Sequence, residues 1–324
     1  MTANGTAPQR ICATPRVKRV KTTVAVTMAA RRIHLNCRLK AFLFLAALLS
    51  FGLELGYLHG ASKVPVPAKR GMVASSEKLA SQIGIDTLKK GGNAVDAAVA
   101  VGFALAVTHP SAGNLGGGGF MMIRFASGET ACIDYRETAP AAAGRDVYLD
   151  SSGQIIPKVS TQGYRASGVP GTPAGLCLAQ KKHGRLSLKE VIQPAIDLAE
   201  QGFPVSDHLS DSLKGAAPLL EVFPESRRVY LNNGKYFEPG ETLIQKDLAS
   251  SLRAIRDEGA DGFYRGEVAA KIAAAYEPHG RWMTREDLLK YEPKFRTPVR
   301  GSYRGYDVIT MPPRVRVGRC CSKC

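Results

Sequence analysis

Between Gly71 and Met311 the chain is built mainly of helical blocks, in which apolar residues return at the spacing of one helix face, broken by short stretches of strand character. Ser75 or Ser76 is placed to cap a first helix that runs through Lys89-Lys90 and is stopped by Gly91-Gly92. Asn93 caps a second, Ala94 to Val107, with Asp96 in its first turn. Ala, Val, Leu and Phe cover this helix nearly all round, which predicts burial between layers. Two strands follow, Phe120 to Phe125 and Thr130 to Tyr135, joined by the turn Ala126-Ser127-Gly128-Glu129 as a hairpin. Helical spacing returns over Thr172 to His183, Ser187 to Gln201, Ser206 to Lys214, Gln245 to Glu258 and Gly266 to Tyr276. Phe295 to Tyr303 and Tyr306 to Met311 read as two last strands, while Gly202 to Gly240, rich in Pro, Gly and charge, is expected to be largely irregular. No internal repeat is present. The pattern gives an α+β fold, with helices packed over a sheet.

The N-terminal part follows different rules. Arg31, Arg32, Arg38 and Lys40 precede a 13-residue apolar run, Ala41 to Leu53, which is shorter than the roughly 20 residues of a comfortable bilayer span. The run reads as the apolar centre of an export signal, with an uncleaved membrane anchor as the alternative. Export would place the protein in the periplasm or outside the cell. Residues 1–62 are thus a basic extension with a targeting segment, and 63–70, containing Lys63-Val64-Pro65-Val66-Pro67, a linker. With residues 1–27 so long an n-region, translation starting at Met28 is a second option.

A net charge of +16 over 324 residues invites a nucleic-acid reading, but its distribution argues against one. Residues 1–40 hold nine Lys/Arg and no acid, and residues 311–324 hold four more, which leaves the body nearly neutral. No helix-turn-helix, zinc-finger or aromatic RNA-binding pattern accompanies the basic ends, so no nucleic-acid partner is expected. Five of the seven cysteines lie in those ends as well. Cys132 and Cys177, the two in the body, sit among apolar or small residues and read as unpaired core fillers. Cys320, Cys321 and Cys324 have no histidine or scaffold around them, so neither a metal nor a cofactor is expected.

The chemistry concentrates around Gly113-Asn114-Leu115-Gly116-Gly117-Gly118-Gly119-Phe120 and, after the hairpin, Asp134-Tyr135-Arg136-Glu137-Thr138-Ala139-Pro140. Successive glycines admit backbone or ligand where a Cβ would not fit, and an arginine just beyond a strand offers a planar fork for a carboxylate. A dinucleotide fingerprint needs a strand before the glycines and a helix after them; here the order is reversed, which excludes that reading. The glycines serve either close helix-to-strand packing or direct substrate contact. Arg136 by residue type alone is equally readable as a salt bridge to Asp134 or Glu137. Thr108, His109 and Ser111 fall on a helix-ending turn, where a capping role is the better reading than a hydroxyl–imidazole pair.

Lys90-Gly91-Gly92-Asn93-Ala94-Val95-Asp96-Ala97-Ala98-Val99-Ala100 resembles the GGNAVDAAVA helix of gamma-glutamyltransferases, and Gly116 to Phe120 resembles their GGGGF loop. Gly168 to Gly175, Pro194 to Phe203, Phe263 to Gly266, Thr284 to Leu288 and Tyr303 to Tyr306 with Met311-Pro312-Pro313 keep the order of that family, so residues 71–313 resemble its large-subunit domain. The resemblance implies an αββα sandwich of the N-terminal-nucleophile hydrolase type, present here incompletely. It implies that Arg136 binds the α-carboxylate of a gamma-glutamyl donor such as glutathione, with Glu137 as an orienting neighbour. The acyl group passes to water, an amino acid or a peptide, and no cofactor takes part.

In that family the nucleophile is a threonine heading a small subunit cut from the same precursor, and no segment here matches it. The chain alone is therefore expected to be catalytically silent, a part of a gamma-glutamyltransferase; a non-catalytic glutamate-binding protein or scaffold is the alternative. Where the family continues Met-Pro-Pro-Pro-Ser-Ser-Gly-Gly, this sequence reads Met311-Pro312-Pro313-Arg314-Val315-Arg316-Val317-Gly318. The codons CCG-AGT-TCG-GGT-GGG for Pro-Ser-Ser-Gly-Gly, shifted by one base, encode Arg-Val-Arg-Val-Gly. Residues 314–324 are expected to be an out-of-frame tail.

Overall fold

The computed structural model describes residues 66–312. The export segment at 41–53, the basic extension and the tail at 314–324 with its cysteines lie outside them. Among the described residues no helix is long and apolar enough to cross a membrane.

Helix α1 (Lys78–Lys89) leads into α2 (Ala94–Thr108), and the hairpin of β1 (Gly119–Arg124) and β2 (Thr130–Tyr135) follows. After a long loop come α3 (Thr172–His183) and α4 (Leu188–Gln201), then β3 (Phe203–Pro204), α5 (Asp207–Leu220), α6 (Pro224–Tyr230) and β4 (Thr242–Leu243). The chain closes with α7 (Lys246–Glu258), α8 (Ala260–Tyr264), α9 (Glu267–Tyr276), α10 (Arg285–Leu289), β5 (Lys294–Arg296), β6 (Val299–Tyr303) and β7 (Tyr306–Thr310). β1, β2 and β5 form an antiparallel sheet with β2 in the centre; β3 pairs with β4, and β6 with β7. Helices gather on this sheet, with α3 against β2 and β1 and α2 packed against α1, α3 and α4. The expected α+β layering is present.

The all-round apolar helix is the core element: eleven of the fifteen residues of α2 are buried. Its start is fixed by polar chemistry. The Asn93 side chain accepts from the Val95 and Asp96 N–H groups, and Asp96 in return accepts from the Asn93 N–H at 2.6 Å. Asp96 is fully buried, and its carboxylate also accepts from Gln180 Nε2 at 2.6 Å, the Arg185 N–H at 2.9 Å and the Leu186 N–H at 3.0 Å. One side chain thus ties the head of α2 to the end of α3 and the turn beyond it.

Burial by itself would raise the pKa of Asp96, yet Gln180 and the backbone N–H groups of Asn93, Arg185 and Leu186 outweigh it and hold the carboxyl below its ordinary value. A depressed native value gives stability that is complete above the unfolded value of about 3.9 and is lost as pH falls through the native one. Asp96→Asn points an NH2 at an existing donor and is expected to cost about 2–4 kcal/mol in urea denaturation at pH 7. The gap between the two proteins should begin to narrow below pH ~4 and close only below the depressed native value.

Several boundaries differ from expectation for local reasons. The first helix is capped by Glu77, whose carboxylate accepts from the Ala80 N–H, while Ser75 turns its hydroxyl to Glu77 and Ser81. The strand expected over Phe295 to Tyr303 is two strands, β5 and β6, parted at Thr297-Pro298 because proline brings no N–H to a ladder. The stretch Gly202 to Gly240 is not largely irregular. α5 runs to Leu220 through Gly215 and Pro218, and α6 follows. Burial of Leu209, Leu213 and Ala217 along one face outweighs the poor helix propensity of those two residues.

Candidate functional site

Arg136 directly follows β2, and its backbone is held on every side. The Arg136 N–H donates to Asp134 Oδ1 at 3.2 Å, and its carbonyl accepts from the Tyr291 hydroxyl at 2.9 Å. Two residues on, Thr138 and Val169 exchange both backbone hydrogen bonds, 3.3 and 2.8 Å. The side chain is freer: 51% of it is exposed, Nε stands 3.1 Å from Glu137 Oε2, and the guanidinium carbon lies 5.9 Å from the centre of the Phe120 ring. Phe120 is the residue that ends the glycine run, so the guanidinium leans to the side of that loop. The pairing with Glu137 is one that residue type alone allowed. Glu137 Oε2 is buried and accepts no aligned hydrogen bond, which leaves the ion pair as its compensation. Asp134, only 3% exposed, takes Arg296 Nε at 3.0 Å.

The glycines explain how this segment is so well fixed. A Cβ on Gly118 would stand 2.5 Å from the Tyr135 carbonyl oxygen and 2.7 Å from the Glu137 nitrogen, and one on Gly119 would stand 2.8 Å from the Tyr135 ring. Gly168, Gly171 and Gly175 approach the same residues: added Cβ atoms there would meet Glu137, the Tyr135 carbonyl and the Tyr135 ring. Burial under them pushes the Tyr135 phenol up to about 12. The Gly117 carbonyl accepts from the Gly171 and Thr172 N–H groups, and Asn114 Oδ1 accepts from the Gly117 N–H and the Thr172 hydroxyl. Close packing is therefore the work of Gly117, Gly118 and Gly119. Gly116 has nothing within 4 Å of its would-be Cβ.

Other candidates settle into structural roles. His109 ends α2 by donating its N–H to the Leu105 carbonyl, and Thr108 donates its hydroxyl to the Ala104 carbonyl, a capping turn as expected. Cys132 and Cys177 are unpaired. Cys132 is fully buried and lies 3.2 Å from Met311 Sδ, and burial pushes the Cys177 thiol up to about 12. Among the described residues no group of three or more His, Cys, Asp or Glu is placed to hold a metal ion.

Two large clefts flank the site without containing Arg136. One, of about 860 Å³, is bounded by Asn114, Leu115 and Gly116 with Tyr230 and Lys246. The other, of about 730 Å³, has Cys177, Tyr264 and Tyr291 in its wall. Arg136 lies outside both linings and is half exposed, so its case rests on geometry and charge. Sequence reading did not find Tyr291, Gln180 or Arg296, because each acts on a partner far away in the chain and none belongs to a motif.

The glycine loop and the arginine that follows β2 sit in an α+β scaffold of the N-terminal-nucleophile hydrolase class, the fold of the gamma-glutamyltranspeptidase structures that superpose on it. The chain belongs to the gamma-glutamyltranspeptidase family, whose pattern matches residues 80–318. It is 48% identical over 290 residues to the glutathione hydrolase proenzyme of Escherichia coli strain K12, covering 87% of this chain and 49% of that protein. The corresponding proenzyme of Pseudomonas sp. strain A14 is 46% identical over 273 residues, 83% of this chain and 48% of its own length. The crystal structure of Helicobacter pylori gamma-glutamyltranspeptidase superposes with a TM-score of 0.77 at 45% identity, covering 79% of this chain and 73% of that one. The chain spans about half the length of the curated relatives it matches.

Proposed function

We propose that this chain is the donor-anchoring part of a gamma-glutamyltransferase acting on glutathione and related donors. The observation that carries the reading is the contrast at Arg136: a backbone secured by Asp134, Tyr291 and the glycines, bearing a half-exposed guanidinium that pairs with the Glu137 carboxylate. A bidentate grip on the donor's α-carboxylate fixes the γ-carbonyl in place, which converts binding energy into alignment. Glu137 holds the fork when no donor is present. The nucleophile is a threonine hydroxyl from a small subunit of the same precursor, activated by its own α-amine, and backbone N–H groups of that subunit stabilise the oxyanion. The acyl-enzyme is released to water, an amino acid or a peptide. Export to the periplasm or beyond, through residues 31–53, belongs to the same reading.

Purified alone, the chain is expected to release no chromophore from a gamma-glutamyl anilide above the blank, and mixing it with the small subunit of a relative should produce release. Hydrolysis by the chain alone would contradict the assignment of the nucleophile. Glutamate binding that persists while no complementation occurs would favour the non-catalytic binder.

A further inference from the structure

Two stacked tyrosines, one of them bonded to the Arg136 carbonyl, pack beside the segment that carries the arginine. Tyr264 ends α8, and Tyr291 lies between α10 and β5. Their rings stack, with centroids 5.6 Å apart and planes 9° from parallel, and the residues are 5% and 9% exposed. Each uses its hydroxyl on a backbone carbonyl of the site: Tyr291 donates to Arg136 at 2.9 Å, and Tyr264 donates to Pro170 at 2.7 Å. Those carbonyls sit on the two segments joined by the Thr138–Val169 pair. Burial pushes the Tyr264 phenol above its ordinary value, so it remains a donor at working pH.

Stability alone would not require this placement. The sheet already fixes Tyr135, and the Thr138–Val169 pair fixes the chain beyond, which leaves the peptide joining Arg136 to Glu137 as the link able to rotate. Its carbonyl is the atom that Tyr291 holds. A tilt of that peptide turns the Cα–Cβ bond of Arg136 and displaces the guanidinium, several bonds further out, by more than the tilt itself. The stack on Tyr264 sets where the Tyr291 hydroxyl can be.

We propose that Tyr291 is a positioning residue for substrate binding, acting through the Arg136 carbonyl to aim the guanidinium at the donor carboxylate, with Tyr264 as its backing. The inference rests on the reading of Arg136 as the donor anchor. It adds a residue that never touches substrate and nonetheless sets affinity.

Titration of the full chain with L-glutamate tests it. Tyr291→Phe keeps the stacked ring and removes the hydrogen bond to the Arg136 carbonyl; it should raise the dissociation constant about fivefold. It should also shift the Arg136 Nε–Hε NMR signal of the free chain, which a merely structural tyrosine would leave in place. Tyr264→Phe retains the Tyr291 hydroxyl bond and should bind within about twofold of the parent chain. Parent-like affinity and an unmoved signal in Tyr291→Phe, with binding lost in Arg136→Ala, would overturn the positioning role and leave the anchor standing. Equal weakening by both tyrosine variants would assign the pair to stability and overturn the role as well. Undiminished binding by Arg136→Ala, or no binding by the parent chain, would remove the anchor itself.

Discussion

Gly171→Ala is expected to leave little soluble chain. The new methyl group would overlap the Tyr135 carbonyl oxygen and the Tyr291 hydroxyl, and the backbone has no room to retreat, because the Gly171 N–H is bonded to the Gly117 carbonyl at 2.7 Å. Relief would require α3 to lift from the sheet or the segment from Tyr135 to Glu137 to leave its bed. Overpacking of this kind costs about 3 kcal/mol or more, a large share of the roughly 5–15 kcal/mol that holds a domain folded. Gly116→Ala is the internal control. Its Cβ enters open space, its backbone is not in the left-handed region, and a change within about 0.5 kcal/mol is expected. Soluble yield and thermal melting of the pair decide the matter; a Gly171→Ala chain that melts like its parent would show that the glycines do not serve packing.

Arg136→Ala should have the opposite signature, with fold intact and binding lost. Half of the side chain is in water, so the domain should stay folded, with a loss of about 1–2 kcal/mol because the buried Glu137 Oε2 is left without its ion-pair partner. In the enzyme reassembled with a small subunit, the loss of a charge-assisted, bidentate grip should raise KM for a gamma-glutamyl anilide about 100-fold. The value of kcat should also fall, since the same grip aligns the γ-carbonyl. Arg136→Lys keeps the charge but not the planar fork, and should recover only part of the loss. A KM unchanged by either substitution would remove Arg136 from the binding site.

Much of this was legible in the sequence wherever the deciding interactions are local. Asn93 with Asp96 and Ser187 with Glu190 are reciprocal caps three residues apart, and both helices begin where those pairs place them. Thr130 to Tyr135 is a strand as read, and Gly128, with φ of 87°, makes the turn before it. Legibility fails where a distant partner decides. The extension of α5 past Lys214 depends on core that the helix reaches only when folded. The Tyr291 bond to Arg136 spans 155 positions of chain, and no periodicity can announce it. For the candidate site, Arg136 and the glycines came from motif resemblance. It could not reveal that three of the four glycines face protein, nor that a tyrosine holds the arginine's carbonyl.

The most direct test of the central claim is the response of the Arg136 Nε–Hε signal to two ligands that differ by one group, L-glutamate and 4-aminobutyrate. With the α-carboxylate present, a saturable shift confined to Arg136 and its surroundings is expected; without it, none. Equal shifts with both ligands, or no shift with glutamate, would contradict the assignment of Arg136 as the carboxylate anchor.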